Sequence, residues 1–346
     1  MCSLEISFLI IYYIKLKLRV KYNCENGGLM SKNKKGICHI CGEKKKLTFE
    51  HLPPKKANNS NRTRVIMGDE LTQHIAGNEK PWDLSKRKYK ELQQGMGGYT
   101  LCEECNNKTG KYYGAEYIKF ASTISSVIKQ KIKYSEPGFS IRIEECYVLR
   151  IIKQIYAMFA STLPELFVKK RPELQKFILD KNYNDVDWSN LRLSVYAMKE
   201  GLDGWTGIMS MLVQDKSGFK TRCVAELALY PFCFILEIDP IGKCENTDIT
   251  HIADNLEYDT KCILNLPLYY RNRNNLFPFD YRTKEEIERD MIESKLQTIE
   301  NYKKKLEEKN INSDKAQKYL EQYKNDKIIL SELSNKIDEI IKENGG

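Results

Sequence analysis

The sequence predicts an α+β protein in three parts: a small N-terminal module, a central antiparallel α+β domain and a C-terminal helical hairpin. Three observations predict this division. Residues 31 to about 120 contain few apolar runs, the following segment changes from helical to alternating hydrophobic spacing, and the tail consists almost entirely of helix formers. We place the three parts at residues 30–125, 126–282 and 283–346.

Composition favours a folded protein with a basic surface. The 346 residues are 41% hydrophobic and 30% charged, a balance that excludes general disorder. The formal net charge of +9 favours polyanionic partners, although charge alone says nothing about mechanism.

The first 29 residues are not predicted to belong to the folded protein. The apolar run at residues 8–14 is followed by Lys15, Lys17 and Arg19, so it is far shorter than the ~20 residues of a membrane helix. The positive charges also follow the apolar run instead of preceding it, which argues against a signal peptide. We interpret residues 1–29 as a non-native upstream extension, with Met30 as the initiator, and we expect no membrane association.

Cysteine usage indicates a reducing compartment. Four of the eleven cysteines form two C-x-x-C pairs and the others are scattered, some of them in apolar runs such as Phe232-Cys233-Phe234. We therefore expect a cytoplasmic protein.

The central segment begins with helices and continues with strands. Apolar residues spaced by three and four from Val148 to Phe159 predict a helix that ends before Pro164, and a second helix is predicted from Pro172 to Leu179. Strands are predicted at residues 191–197, 208–213, 223–229 and 232–238. Their short connections leave no room for crossover helices, which favours an antiparallel sheet of unassigned role.

The tail from Thr283 carries two apolar stripes, one from Ile287 to Leu306 and one from Leu320 to Ile340. Residues 310–314 separate them, with Ser313 as a candidate N-cap. This predicts a charged helical hairpin or coiled coil, through which the chain would form a homodimer or bind a partner protein.

The two C-x-x-C pairs predict a structural zinc site. Cys38 and Cys41 form the first pair, and Cys102 and Cys105 form the second. Four thiolates complete a tetrahedral zinc site and leave no open position for water or substrate. Such a site contributes on the order of 10 kcal/mol to folding, enough to order a segment that lacks a core.

The pattern around these pairs resembles the zinc-bearing branch of the HNH endonucleases. The order is C-x-x-C, then Phe49-Glu50-His51-Leu52-Pro53-Pro54, then C-x-x-C followed by Asn106, and it covers about residues 36 to 115. The resemblance implies a ββα-metal fold, two strands and a helix around a catalytic divalent ion. It further implies His51 as general base, Glu50 as a metal ligand and Asn106 as the ligand on the helix, with Asn107 as a one-step alternative.

Mg2+ or Mn2+ suits the oxygen ligands of such a site. The chain departs from the commoner family pattern, in which an Asn precedes the second C-x-x-C and orients the loop and the imidazole. Gly97-Gly98-Tyr99-Thr100-Leu101 stands there instead.

Several cations lie near the Glu50-His51 segment: Lys55, Lys56, Arg62 and Arg64. They predict contacts with a phosphate backbone. We therefore expect a metal-dependent endonuclease that hydrolyses phosphodiester bonds in DNA, in phage defence or a mobile element. The alternative is a non-catalytic zinc-dependent module that binds DNA or a protein, and a third reading assigns the main activity to the central domain.

Overall fold

The computed structural model describes residues 35–66, 70, 79–93, 95–131, 137–201, 203–215, 218–275, 277–328 and 330–344. Residues 1–29, interpreted above as an upstream extension, lie outside the described residues. None of the helices in the described ranges combines the length and apolar character needed to cross a membrane.

The N-terminal part is a three-stranded sheet followed by helices. Strands β1 (Lys35–Ile37), β2 (Lys44–His51) and β5 (Gly97–Cys102) pair in the order β1-β2-β5, and both pairings are antiparallel. Helix α1 (Glu103–Thr109) follows β5 directly and continues through a π-helical turn, Gly110–Gly114, into α2 (Ala115–Lys131). The insertion between β2 and β5 contains a two-stranded ribbon, β3 (Thr63–Val65) and β4 (Lys90–Leu92).

The central part is a large sheet with helices on one face. Its strands are β6 (Gly138–Cys146), β7 (Leu191–Gly201), β8 (Gly204–Trp205), β9 (Met209–Asp215), β10 (Gly218–Leu229), β11 (Phe232–Ile238), β12 (Thr247–Asp248) and β13 (Cys262–Arg273). They run in the order β6-β13-β7-β11-β10-β8, with β12 on β7 and β9 on β10. Between β6 and β7 come α3 (Val148–Thr162), α4 (Leu166–Lys169) and α5 (Pro172–Leu179).

The predicted antiparallel sheet needs one correction. Strand β13 runs parallel to β7, with Tyr270 opposite Ala197, although its other neighbour β6 is antiparallel. The chain reaches β13 through the long connection after β11, not through a hairpin, and such a connection permits the parallel direction. Strands β6 and β13 were not predicted, although Leu264, Leu266 and Leu268 alternate with exposed residues.

One buried cluster joins the N-terminal and central parts. It contains Cys38 and Leu101 from the first sheet together with Phe159 and Phe234 from the second. The boundary predicted at residue 125 falls within α2, whose buried side chains belong to this same cluster. The small sheet therefore gains its apolar packing from the central part.

A buried lysine fixes α3 against the end of α5. The side chain of Lys153 is fully buried, and its ammonium donates to the backbone oxygens of Phe177, Asp180 and Tyr183 at 2.5, 2.9 and 2.6 Å. The ring of Phe177 lies 4.0 Å from the same nitrogen. All three donors of the ammonium are thus used, as burial of a cation requires.

The tail folds into three helices, α6 (Lys284–Glu308), α7 (Asp314–Lys324) and α8 (Leu330–Asn344). Ser313 caps α7 as predicted, accepting a hydrogen bond from the Ala316 N–H at 3.3 Å. The prediction of a two-helix hairpin is wrong, because the chain turns again after Lys324, where Asp326 takes a positive φ of 55°. The three helices share their own small apolar cluster.

Candidate functional site

The four cysteines of the two C-x-x-C pairs come together. Their sulfur atoms all lie within 4.8 Å of one another, and those of Cys41 and Cys102 are 3.9 Å apart. Tetrahedral zinc with Zn–S bonds of about 2.3 Å places its sulfurs about 3.8 Å apart. The donor set and its spacing therefore fit a zinc ion, and this part of the prediction is confirmed: the four cysteines could bind one.

Tight turns and hydrogen bonds shape the cluster. The Gly42 N–H donates to the Cys38 carbonyl at 2.8 Å, and Gly42 has a positive φ of 73°, a conformation that favours glycine. The Cys105 thiol donates to the Cys38 sulfur, and the Cys102 N–H reaches the same sulfur at 3.3 Å. These contacts lower the pKa of Cys38 to about 4, whereas burial raises that of Cys41 to about 11. Cys38 is thus prepared to bind as thiolate.

The first C-x-x-C turn is attached to the central part. The Gln175 amide of α5 donates to the Ile40 carbonyl, between the two cysteines, at 2.7 Å. The hydroxyls of Thr100, on β5, and Ser161, on α3, are hydrogen-bonded. The first C-x-x-C turn and the central helices therefore stabilise each other.

Glu50 is unusual in the N-terminal part because its ionisable side chain is buried. Its side chain is only 8% exposed, and it makes neither a hydrogen bond nor an ion pair with any described residue. Burial alone raises the pKa of its carboxyl from 4.5 to about 8. The carboxylate form therefore lacks a counter-charge.

His51 ends β2 and pairs with Gly97 of β5. Its ring packs edge-on against Phe49, with centroids 5.0 Å apart, so these two side chains share one face of the strand. Because neighbouring residues of a strand point to opposite faces, Glu50 leaves β2 on the other side. The structure thus does not bring the predicted base and the predicted metal ligand to one face.

Asn106 lies on the Glu50 side of β2. Its amide nitrogen donates to the Thr48 hydroxyl at 3.0 Å and to the Phe49 carbonyl at 3.1 Å. Thr48 and Glu50 share a face because they are two residues apart. Asn106 thus ties α1 to β2 near Glu50, while the alternative, Asn107, is exposed.

Asn59 is a site residue that the sequence analysis missed. Its buried amide donates to the carbonyls of Pro53 and Met96 at 2.7 and 2.8 Å, and its oxygen accepts from the Met96 N–H at 2.6 Å. A Cβ on Gly95 would lie 2.1 Å from the Asn59 carbonyl oxygen, so this position requires glycine. Asn59 therefore links the two ends of the insertion between β2 and β5, next to the His51–Gly97 pair. The glycine-rich stretch at residues 95–98 was the available signal for such a close approach.

The predicted phosphate-binding cations fall into two groups. Lys55 and Lys56 are exposed in the turn that follows Pro54. Arg62 and Arg64 are also exposed, but both contact the carboxylate of Glu91 on β4. The two arginines are therefore partly neutralised.

Comparison of the chain with protein-family models, with curated proteins and with solved structures finds no match.

Proposed function

We propose that the protein is a metal-dependent nuclease of the HNH type, with zinc on the four cysteines and a catalytic Mg2+ or Mn2+ at Glu50. The observation that carries the proposal is the buried carboxyl group of Glu50, which has no hydrogen-bond or ion-pair partner among the described residues. An isolated buried carboxylate is costly, and a cation offsets that cost. Oxygen ligands are those that Mg2+ and Mn2+ prefer.

The element order supports the proposal. Two antiparallel strands, β2 and β5, are followed directly by α1, as in the fold that the resemblance implies. Asn106 projects from α1 to the Glu50 side of β2. Its side-chain oxygen accepts no hydrogen bond within the described part of the chain, which leaves it available as a second ligand.

Hydrolysis of a phosphodiester needs an activated water and a cation near the phosphate. A bound Mg2+ or Mn2+ would stabilise the charge on the phosphate and on the departing oxygen. Glu50 and Asn106 would hold that ion, and His51 would accept the proton of the attacking water. The proposal therefore requires the His51 imidazole, at the last position of β2, to turn toward the Glu50 side when substrate binds.

A non-catalytic module that binds DNA or a protein is the second candidate. Two observations favour it: Glu50 and His51 leave β2 on opposite faces, and the amide nitrogen of Asn106 already has two structural acceptors. In either case we propose that the central part and the C-terminal helices supply target or partner recognition.

Cleavage of supercoiled plasmid with Mg2+ or Mn2+ separates the two candidates. We expect nicking by the wild type and its loss in His51→Ala and in Glu50→Gln. The matched controls are His251→Ala and Glu103→Gln, which alter exposed residues that are neither proposed metal ligands nor the proposed base and should retain activity. Zinc content and circular dichroism establish that all variants fold alike. Failure of the zinc-loaded wild type to cleave, with DNA binding intact, would exclude the nuclease and favour the second candidate.

A further inference from the structure

The insertion between β2 and β5 presents a basic surface that also carries an aromatic ring. We call it the β3–β4 ribbon and define it as residues 62–65 and 86–92. Arg64 lies opposite Glu91 and Val65 opposite Lys90 in the paired strands. Its exposed residues are Arg62, Arg64, Lys86, Lys88, Tyr89 and Lys90.

The positive charge of the ribbon exceeds its local compensation. Glu91 contacts both exposed arginines, and Arg87 pairs with Glu79 at 2.8 Å. The exposed lysines are Lys86, Lys88 and Lys90, and none of the three has an ion-pair partner within the described ranges. The Glu70 carboxylate also lies beside this segment and accepts a hydrogen bond from the Lys88 backbone N–H at 3.4 Å. Three ammonium groups within five residues outweigh this one additional carboxylate and attract a polyanion.

Tyr89 gives this surface a second property. Its side chain is 46% exposed, and the guanidinium of Arg64 lies over its ring at 4.6 Å from the centroid. Tyrosine rings and arginine planes are the groups on which unpaired bases stack. A surface that served only to bind the phosphates of a duplex would not need an exposed ring.

The ribbon lies close to the proposed catalytic site. Thr63 follows Asn59 by four positions in the sequence, and Met96 follows Leu92 by four positions. An extended chain spans at most about 3.6 Å per residue, so each strand of the ribbon has its near end within about 14 Å of the Asn59–Met96 contact. That contact adjoins the His51–Gly97 pair.

We propose that the β3–β4 ribbon binds a single-stranded segment of nucleic acid. The Tyr89–Arg64 stack holds an unpaired base, and Lys86, Lys88 and Lys90 contact phosphates. As the substrate contact of a nuclease this inference rests on the proposed function, whereas the binding itself is measured without catalysis.

The test is fluorescence anisotropy of the full chain with a labelled oligothymidylate of about 16 nucleotides, a length within the range of single-strand sites, and with a duplex of equal length. No divalent cation is added, so cleavage does not interfere. We expect Tyr89→Leu to weaken binding of the oligothymidylate ~5-fold or more, because stacking contributes ~1–3 kcal/mol per base, and Tyr89→Phe to preserve it. Tyr269→Leu is the matched control, since Tyr269 is 45% exposed and has Arg271 over its ring at 5.2 Å.

The lysines are tested by salt dependence. Replacing Lys86, Lys88 and Lys90 together by Gln should reduce the slope of log K against log salt by about 2, at ~0.7 per lost phosphate contact. The same triple replacement at the exposed Lys303, Lys309 and Lys318 should leave the slope unchanged.

Unchanged binding in Tyr89→Leu would overturn the proposal, as would a duplex that competes equally well with the oligothymidylate. Loss of plasmid nicking in the Glu50 and His51 variants bears on the proposed function alone. If the wild type has no nuclease activity but its oligothymidylate binding still depends on Tyr89, single-strand binding by the ribbon is supported and the nuclease function is refuted.

Discussion

Replacing Glu50 by Gln should stabilise the protein at alkaline pH when no divalent cation is present. Burial raises the pKa of Glu50 from 4.5 to about 8. Between these values the folded protein keeps a proton that the unfolded chain releases, so the contribution of this group to stability falls as pH rises. Each pKa unit corresponds to about 1.4 kcal/mol. Between about pH 5.5 and about pH 8 the wild type therefore loses about 3 kcal/mol that Glu50→Gln retains.

Urea unfolding of both proteins over this pH range, followed by circular dichroism, measures the difference. The zinc site and all other titrating groups are common to the two proteins and cancel. Glu103→Gln, which alters an exposed carboxylate of the same module, should track the wild type. Adding Mn2+ at the alkaline end should reduce the difference in unfolding free energy between wild type and Glu50→Gln, because the cation offsets the negative charge that Gln lacks. A gap between wild type and Glu50→Gln that stays constant across the pH range would refute the uncompensated burial of this carboxyl.

Three further predictions concern stability and metal content. Elemental analysis should find one zinc per chain in the wild type and none in Cys105→Ala. The control Cys223→Ala should keep its zinc. A zinc-free wild type, or loss of zinc in the control, would contradict the four-cysteine site. Asn59→Ala should lower the free energy of unfolding by about 2–4 kcal/mol, because three backbone groups lose their partner, and Asn61→Ala, at an exposed site, should change it little. Equal effects of the two substitutions in urea unfolding would exclude a stabilising role for the Asn59 hydrogen bonds. Lys153→Met should cost about 2–4 kcal/mol by the same measurement, since three buried carbonyls lose their donor, and a neutral result would show that water replaces the ammonium.

The regular spacing of apolar residues made helices and strands of the central part predictable. The helix predicted to end before Pro164 is Val148–Thr162, and the helix predicted at Pro172–Leu179 has those bounds. The first helix is buried almost all round and the second on one face, and a proline limits each of them. The four predicted strands are also present, although β11 is buried on both faces and does not alternate between buried and exposed residues.

Long-range pairing was not predictable from local pattern. The parallel contact of β13 with β7 depends on where a long connection returns the chain, which no spacing of residues encodes. The second break in the tail lies at Asn325-Asp326, where Asp326 takes a positive φ of 55°. Asn and Asp favour caps and turns, but both also occur on exposed helix faces, so their presence alone does not fix the break.

In the candidate site, spacing predicted the chemistry of the ligands better than the direction of side chains. Two C-x-x-C pairs suffice to indicate a four-thiolate cluster, because each pair fits one tight turn. The separation of Glu50 from His51 follows only once residues 44–51 are known to form a strand, since an irregular loop would let both face one site. Asn59 was missed because it binds the backbone groups of Pro53 and Met96. Every residue has such groups, so the residue types in the sequence do not reveal these contacts.

The hydrogen bonds between Gln175 and the first C-x-x-C turn and between Thr100 and Ser161 have a consequence for the evolution of the gene. A gene fragment ending after α2 would encode the four cysteines but neither of the central partners, and its apolar face would meet water. Recombination that moved this segment alone into another gene would therefore break both hydrogen bonds and expose the apolar face. Transfer of the segment from β1 to β13 together would preserve these contacts, while the three C-terminal helices, which have their own apolar cluster, could be lost or replaced.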